Sequence, residues 1–192
     1  VNYSQSVMGY GVNNTGFNYS IVRSCNIVQN ITNMGGVDNS YWIYIFKNST
    51  DNTIFNNSIA TNSSSGYGIY LLNDVRDNNI TNNSIITGGA SGYGMYLSFS
   101  STNNTIYGNS IFVGGSSGKN GIYIDSNSDN NSIFLNSITS TTSGTGVFLF
   151  TNANGNNIYS NNINAGTGIY LLTSSNNNSA YNNIITVAVS SN

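Results

Sequence analysis

Apolar and polar residues alternate in short runs, and these runs recur at a regular interval along nearly the whole chain. The stretch Asn103–Ile111, with the sequence Asn-Asn-Thr-Ile-Tyr-Gly-Asn-Ser-Ile, is one copy of the recurring unit. Between equivalent positions from Ile54 to Ala180, successive copies are 26, 26, 27, 25 and 22 residues apart. A repeat of this length is typical of a solenoid, in which each repeat buries its apolar face by stacking on its neighbours.

A second apolar phrase precedes each copy by about half a repeat, as at Gly94–Leu97. Alternation with a period of two indicates strands rather than helices. We therefore predict an all-β fold, a single-stranded parallel β-helix (β-solenoid) of about seven coils of 22–32 residues. It should be right-handed, because parallel crossovers almost always are, with two clear short strands and a variable third side per coil. All residues 1–192 form one predicted domain, with regular coils over about 11–185.

Some asparagines fall at positions that the alternation directs into the core. An inward amide is satisfied if it donates to the amide oxygen of an asparagine in one adjacent coil and accepts from the other, forming a ladder along the axis. The predicted ladder residues are Asn57, Asn83, Asn109, Asn136, Asn161 and Asn183. A second column is a candidate for another ladder and contains Asn52, Asn78, Asn104, Asn131, Asn156 and Asn178. In the first coil Cys25 takes the ladder position, as a small buried thiol or, alternatively, a functional cysteine.

Composition excludes several classes of function. The chain has four basic and six acidic residues, a formal net charge of −2 and no histidine. Without a basic patch, nucleic acid binding is excluded as a function. No run of eighteen apolar residues occurs, so no membrane span is expected. Polar bias alone could suggest disorder, but the regular apolar columns argue against it.

The two recurring phrases, Asn-Asn-Thr-Ile-Tyr-Gly-Asn-Ser-Ile and Gly-Ile-Tyr-Leu, resemble repeats of the right-handed parallel β-helix superfamily. They are most similar to the NosD-like and pectate-lyase-like repeats of secreted and archaeal cell-surface proteins. The resemblance covers about residues 11–185 and concerns scaffold positions, so it implies the fold and leaves the function open. Enzymes of this superfamily act on acidic polysaccharides through Asp clusters with Arg, Lys or His, and no such constellation maps onto this chain. The copper-related role of NosD does not carry over to a chain without histidine, and we expect no cofactor.

Outward strand positions carry two columns of aromatic residues. The first is a candidate contact face and consists of Tyr44, Tyr70, Tyr96, Tyr123, Phe148 and Tyr170. The second is interrupted by Thr81 and consists of Phe55, Tyr107, Phe134, Tyr159 and Tyr181. Stacked aromatic rings can form a platform for sugar rings or contact a partner molecule. They can equally stabilise the strands by packing on one another along the axis.

Acidic residues suggest one candidate metal site. Asp51 and Asp77 occupy equivalent positions in adjacent coils, about 5 Å apart at one strand spacing. With Asp74 nearby, their oxygens could hold Ca²⁺. The alternative is that Arg76 and water screen these charges.

Glycosylation sequons are abundant because the chain is rich in Asn, Ser and Thr. Those in loops, such as Asn48 and Asn62, are candidate acceptors if the protein is exported. Glycosylation at these asparagines is therefore expected only if the protein is exported.

These features predict an extracellular or cell-surface protein with a structural or adhesive role and no catalytic activity. It would be a segment of a longer surface protein or the subunit of a surface filament. Because the end of a β-helix exposes unpaired strand edges over an open core, we expect self-association by head-to-tail stacking. The alternative is a polysaccharide-binding or polysaccharide-active module that uses the aromatic columns, with carbohydrate as its partner.

Overall fold

Three parallel β-sheets wind around a common core. The computed structural model describes residues 9–28, 40–115 and 119–188. Over these residues the chain forms a β-solenoid whose sheets, A, B and C, each contain seven strands. One strand from each sheet makes one rung, so seven rungs match the predicted seven coils, and six full turns join the seven strands of a sheet. In this part of the chain, no helix is long and apolar enough to cross a membrane.

The strands are numbered β1 to β21 along the chain. Sheet A contains β1 (Tyr10–Thr15), β4 (Tyr41–Phe46), β7 (Tyr67–Leu72), β10 (Met95–Ser98), β13 (Asn120–Ile124), β16 (Thr145–Phe150) and β19 (Thr167–Leu172). Sheet B contains β2 (Ile21–Arg23), β5 (Thr53–Phe55), β8 (Asn79–Thr81), β11 (Thr105–Tyr107), β14 (Ser132–Phe134), β17 (Asn157–Tyr159) and β20 (Ser179–Tyr181). Sheet C contains β3 (Asn26–Val28), β6 (Ser58–Thr61), β9 (Ser84–Thr87), β12 (Ser110–Val113), β15 (Ser137–Ser140), β18 (Asn162–Ala165) and β21 (Ile184–Val187).

The recurring phrase Asn103–Ile111 supplies strands to two different sheets. Ile106 lies in sheet B and pairs in register with Ile80 and Ile133 of the adjacent rungs. Ile111 lies in sheet C, in a separate short strand after a bend. The expectation of two strands and a variable third side was therefore wrong, because the bend divides the phrase and gives each rung three strands.

Asparagine ladders run through two of the three bends of the rung, between sheets A and B and between sheets B and C, as the sequence predicts. The backbone amide and Nδ2 of Asn109 both donate to Oδ1 of Asn136, each at 3.0 Å. In the second column, Asn104 makes the same pair of bonds to Oδ1 of Asn131, at 2.9 and 3.1 Å. Each amide thus satisfies its own oxygen and hydrogens and also a backbone N–H of the neighbouring rung, which makes burial of the polar group tolerable.

The residue directly before each asparagine of the two ladders has left-handed backbone geometry. Gly108, with φ of 66°, precedes Asn109, and Asn103, with φ of 57°, precedes Asn104. Glycine, asparagine and aspartate adopt this conformation at the least cost. The requirement accounts for many of the polar residues that lie outside the ladders.

The first rung departs from the ladder pattern. Cys25 occupies the ladder position in the bend between β2 of sheet B and β3 of sheet C. Its backbone amide donates to Oδ1 of Asn57 at 3.0 Å. The thiol is half-buried rather than buried, and it donates to the carbonyl oxygen of Arg23 at 3.4 Å. As part of the first rung, Cys25 lacks the cover that a preceding described rung would give it.

Glycine at the start of the sheet A phrase allows the rung to close in six of the seven described rungs, and Trp42 takes this position in β4. A Cβ added at Gly94 would lie 2.3 Å from Cγ2 of Ile111 and 2.6 Å from the carbonyl oxygen of Gly121. Real Cβ atoms do not approach other atoms so closely, so the core isoleucine of sheet C packs directly on the backbone of sheet A. The recurring Gly in the phrase is therefore a packing requirement.

Candidate functional site

The outer face of sheet A carries a continuous stack of aromatic rings. From the second to the seventh rung, strand alternation places one ring outward at this position, as Tyr70 projects between the fully buried Ile69 and Leu71. In the first rung Asn13 takes the position, and Tyr10, the register partner of Tyr41, stacks on Tyr44 instead. The rings of this axial column are Tyr10, Tyr44, Tyr70, Tyr96, Tyr123, Phe148 and Tyr170, with neighbouring centroids 4.8–5.4 Å apart. All six residues of the candidate contact face therefore lie together.

The rings of the axial column pack face to face along the solenoid axis. Tyr70 and Tyr96 are parallel within 1°, and Tyr96 and Tyr123 within 9°. Toward the N-terminal end of the stack little ring surface reaches solvent, and Tyr44 and Tyr70 are only 8% and 7% exposed, whereas Tyr96 and Tyr123 are half-buried. A sugar platform needs a free ring face, whereas here the faces are occupied by the neighbouring rings.

A second tyrosine column, which the sequence analysis missed, covers one side of the first. Tyr67 stacks on Tyr41 and on Tyr93, with centroids 5.1 Å apart in both pairs. Tyr67 also meets Tyr70 edge to face, at an interplanar angle of 86°. The signal was present in the sequence as a tyrosine directly before the recurring phrase, in Tyr67-Gly68 and Tyr93-Gly94.

Asp125 is a buried carboxylate within this tyrosine face. It directly follows β13, and it is only 8% exposed. Its Oδ2 accepts a hydrogen bond from Tyr96 Oη at 2.9 Å, and its Oδ1 accepts one from Ser98 Oγ. Tyr123 lies two residues before it in the same rung. The carboxylate is therefore held by neutral hydroxyl donors.

The tyrosines around Asp125 keep their protons. Burial raises the pKa of Tyr96 well above its usual value, and the negative charge of Asp125 adds to the rise. Burial likewise raises the pKa of Tyr123, again with a contribution from Asp125. Both phenols are therefore hydrogen-bond donors at physiological pH.

The sequence analysis assigned no role to Asp125. Its signal was a charged residue directly after an apolar strand phrase, where the equivalent place in another rung is apolar. The residue at the place of Asp125 is Ser98 in the preceding rung. In the rung before that it is Leu72, which pairs in register with Ser98. From Phe46 to Leu172 this column is apolar except at Ser98 and Asp125, and the polar pair distinguishes this part of the face.

The aromatic column on sheet B is shorter. Tyr107, Phe134, Tyr159 and Tyr181 stack with centroids 4.8–5.1 Å apart. Thr81 lies between Phe55 and Tyr107 in the register of the sheet, so the column is interrupted where the sequence placed the gap.

Another buried charged group lies on a loop beside sheet C. Lys119 is fully buried, and its Nζ donates to the carbonyl oxygen of Gly114 at 2.9 Å. Burial lowers the pKa of this amine. Its backbone carbonyl accepts from Ser140 Oγ and the amide of Thr145, so the residue ties together the loops of two rungs.

The candidate calcium ligands lie in the turn after sheet A. Asp74 forms an ion pair with Arg76, the residue that the alternative interpretation named. Asp51 accepts a hydrogen bond from Thr50 Oγ1 at 2.9 Å, and Asp77 is exposed. Across residues 9–28, 40–115 and 119–188, no group of three or more His, Cys, Asp or Glu side chains is placed to hold a metal ion.

The candidate glycosylation residues lie at the surface. Asn48 is exposed in the turn after β4, where its φ is 57°. Asn62 is exposed in the loop after β6. Both positions would leave room for a glycan, whereas buried ladder asparagines such as Asn109 would not.

Comparison with known proteins identifies the scaffold. A family model described as a right-handed beta helix region matches residues 2–185. The chain belongs to the right-handed beta helix family. A search of curated proteins gave no match for this β-helix.

Among solved structures, this β-helix is similar to a mutant of the periplasmic alginate epimerase AlgG. The TM-score is 0.66 at 19% sequence identity, and the match covers 93% of this chain. It covers 43% of the epimerase chain, so this β-helix spans less than half of that protein's length. At this identity the similarity establishes the fold alone.

Residues that recur from rung to rung can be separated from those that occur once. The ladder asparagines and the strand glycines recur from rung to rung and belong to the scaffold. By contrast, Asp125 with its partners Tyr96 and Ser98 occurs once in the described rungs. This cluster on the tyrosine face is therefore the candidate functional site.

Proposed function

We propose that this β-helix is a structural or adhesive rod of the cell surface or cell envelope, without catalytic activity. The observation that carries the proposal is that its distinctive side chains bond along the axis. Amides such as Asn109 join successive rungs, and rings such as Tyr70 stack on their neighbours. Amides and rings that bond to the next rung stiffen a rod, and they are not free to contact a bound molecule. The periplasmic location of the structural neighbour supports an exported protein.

Self-association belongs to the same proposal, with a second copy of the chain as the partner. Ile185, in the last described rung, is 45% exposed, whereas its register partner Ile163 is fully buried. Another rung stacked on this end, from a continuation of the same chain or from a second copy, would bury the isoleucine and pair the open edge of sheet C. Head-to-tail contacts of this kind build open filaments.

The structural role and self-association have separate tests. Analytical ultracentrifugation and electron microscopy of the native material should show end-to-end assemblies, and discrete monomers at high concentration would contradict self-association. Immunolabelling of intact cells should place the protein outside the membrane. Labelling that requires permeabilised cells would contradict the surface role.

The second candidate function is recognition of an acidic or neutral polysaccharide by the tyrosine face. Asp125 favours it, because its carboxylate and the hydroxyls of Tyr96 and Tyr123 could bond to sugar hydroxyls. The similarity to an alginate epimerase also supports it. The stacked rings would then present their edges and hydroxyl groups, rather than their faces, to the sugar.

Alginate oligomers distinguish the two functions. Calorimetric titration and ¹H NMR of the oligomers after incubation measure binding and any change of the sugar. The structural proposal predicts neither saturable binding nor turnover. Binding that is lost in Tyr96→Phe but kept in Tyr107→Phe, which removes a hydroxyl from sheet B instead, would establish the polysaccharide function.

A further inference from the structure

The tyrosine face has the geometry of an oxidative modification site. We propose that one-electron oxidation of the axial column settles on Tyr96, which then couples to a stacked neighbour, Tyr70 or Tyr123. The co-reactant is a one-electron oxidant, such as a peroxidase supplied with hydrogen peroxide or a photogenerated ruthenium(III) complex. The product is a dityrosine bond that joins two rungs. This inference does not depend on the proposed structural role.

The stack provides a route for the missing electron. Tyr10, at one end of the column, is 38% exposed, and it stacks on Tyr44 with a centroid distance of 5.2 Å. From Tyr44 the contact continues through Tyr70 to Tyr96. Overlapping phenol rings at this distance exchange an electron readily. Beyond Tyr123 the next ring is Phe148, which lacks a hydroxyl and is harder to oxidise, so the oxidised state stays among the tyrosines.

The carboxylate of Asp125 decides where the oxidised state stops. A phenol that loses an electron becomes a strong acid, and it is stabilised as a radical only if a base takes its proton. Tyr96 Oη already donates to Asp125 Oδ2 at 2.9 Å, which is within the distance for direct proton transfer. Because burial raises the pKa of Tyr96, the phenol still carries this proton when it is oxidised.

The coupling balances in electrons and protons. Tyr96 gives one electron to the oxidant and its phenolic proton to Asp125, which leaves a phenoxyl radical beside a neutral carboxylic acid. A second oxidant molecule takes an electron from the stacked neighbour, whose phenolic proton goes to solvent. One carbon–carbon bond then forms between the positions ortho to the two oxygens. The hydrogens of those carbons move to the oxygens and restore both phenols, and Asp125 returns its proton to solvent.

The stacking geometry favours these two partners. Tyr70 lies 4.8 Å from Tyr96 and is parallel within 1°, and Tyr123 lies 4.9 Å away and is parallel within 9°. Coupling then requires only the ring displacements within the stack that bring one ortho carbon of each ring to bonding distance. Tyr159 and Tyr181 on sheet B are also stacked, at 5.1 Å. They are an internal reference for coupling without the carboxylate, because Asp125 follows β13 of sheet A.

Trypsin separates the rungs conveniently for the test. Cleavage after Lys47, Arg76 and Lys119 yields peptides 48–76, 77–119 and 120–192, which contain Tyr70, Tyr96 and Tyr123 respectively. Dilute protein is exposed to tris(bipyridyl)ruthenium(II), persulfate and brief illumination, and dityrosine fluorescence gives the initial rate. Mass spectrometry should find peptide 77–119 joined through Tyr96 to one of the other two. A map of the unaltered protein in which Tyr96 takes no part would overturn the proposal.

Matched variants test the proton acceptor. Asp125→Asn keeps an oxygen for the Tyr96 bond but cannot take the proton, and Asp77→Asn removes the same charge at an exposed turn. A positioned base typically contributes a factor of about 10²–10⁴, so the Tyr96 cross-link should form at least about tenfold more slowly in Asp125→Asn alone. Equal rates in Asp125→Asn and the unaltered protein would refute the role of the carboxylate.

A second pair of variants controls for folding. Tyr96→Phe retains a stacking ring and should abolish the cross-link, whereas Tyr107→Phe, in the same tryptic peptide but stacked on Phe134, should not. Far-UV circular dichroism checks that each variant is folded. Formation of the Tyr159–Tyr181 bond as fast as the Tyr96 bond would show that stacking alone directs the coupling, and would overturn the assignment.

Discussion

Removal of one ladder amide from the middle of the rod tests what holds the rungs together. The Oδ1 of Asn109 accepts hydrogen bonds from the backbone amide and Nδ2 of Asn83, at 2.9 and 3.0 Å. Its Nδ2 donates to the carbonyl oxygens of Ile80 and Tyr107, at 3.0 and 3.1 Å. It also donates to Oδ1 of Asn136 at 3.0 Å. The substitution Asn109→Ala removes all of these bonds at once.

The expected loss follows from which partners are left unsatisfied. The backbone amide of Asn83 remains buried without its acceptor, which costs about 1–3 kcal/mol. Its Nδ2 is better placed, because it also donates to the carbonyl oxygens of Ile54 and Thr81. Oδ1 of Asn136 keeps the bond from the backbone amide of residue 109. With about 0.5–1.5 kcal/mol for each net bond lost, Asn109→Ala should lower the free energy of unfolding by about 2–5 kcal/mol.

Urea unfolding followed by far-UV circular dichroism measures the loss. The matched control is Asn162→Ala, an exposed asparagine on the outer face of β18, which should change stability by less than about 0.5 kcal/mol. Because each rung contacts mainly its neighbours, hydrogen exchange at the amide of Asn83 should report the local effect. Equal stability of the two variants, with undiminished protection of that amide, would refute the role of the ladder.

Three further predictions follow from the packing. Gly94→Ala forces a methyl group against Ile111 and should cost about 1–3 kcal/mol or more in urea unfolding, whereas Gly9→Ala, whose nearest contact is 3.5 Å, should be nearly neutral. Thr81→Val removes a buried hydroxyl that has no hydrogen-bond partner in the described structure, and should raise stability by about 1 kcal/mol; a loss would contradict this. Burial raises the pKa of Tyr44 to about 12. Because the folded state holds this proton more tightly than the unfolded state, stability should fall as pH rises from about 10 through about 12. Melting temperatures would show this, and simultaneous ionisation of all fourteen tyrosines near pH 10 in an ultraviolet titration would contradict it.

Much of the scaffold could be predicted because its signals are local and repeated. The period of the apolar phrases sets the length of a rung, and the alternation within them indicates which residues face the core. Equivalent positions such as Ile80, Ile106 and Ile133 therefore pair in register as predicted. The inward asparagines were predictable for the same reason, since a polar residue that recurs at a core position needs an identical partner in the next rung.

The division of the phrase into two strands was less accessible. The alternation of inward positions breaks at Gly108, between Ile106 and Asn109, which predicts a bend there. The sequence alone does not show that the residues on the two sides of this bend join different sheets. Tertiary closure decides it, because the chain must turn three times to return above its starting point. The left-handed conformation of Gly108 and the bonds of Asn109 to neighbouring rungs hold one of these turns in place.

The candidate site was decided by the winding of the chain. Tyr96 and Asp125 are 29 residues apart in sequence, and they meet because one turn of the solenoid places them in adjacent rungs of sheet A. Burial of the rings is also a tertiary effect. Alternation predicts that Tyr70 points outward, but the stacking of Tyr96 and the edge of Tyr67 remove it from solvent. Pairwise contacts between rungs, which no single repeat contains, thus turn an outward tyrosine into a buried phenol and an ordinary aspartate into its neighbour.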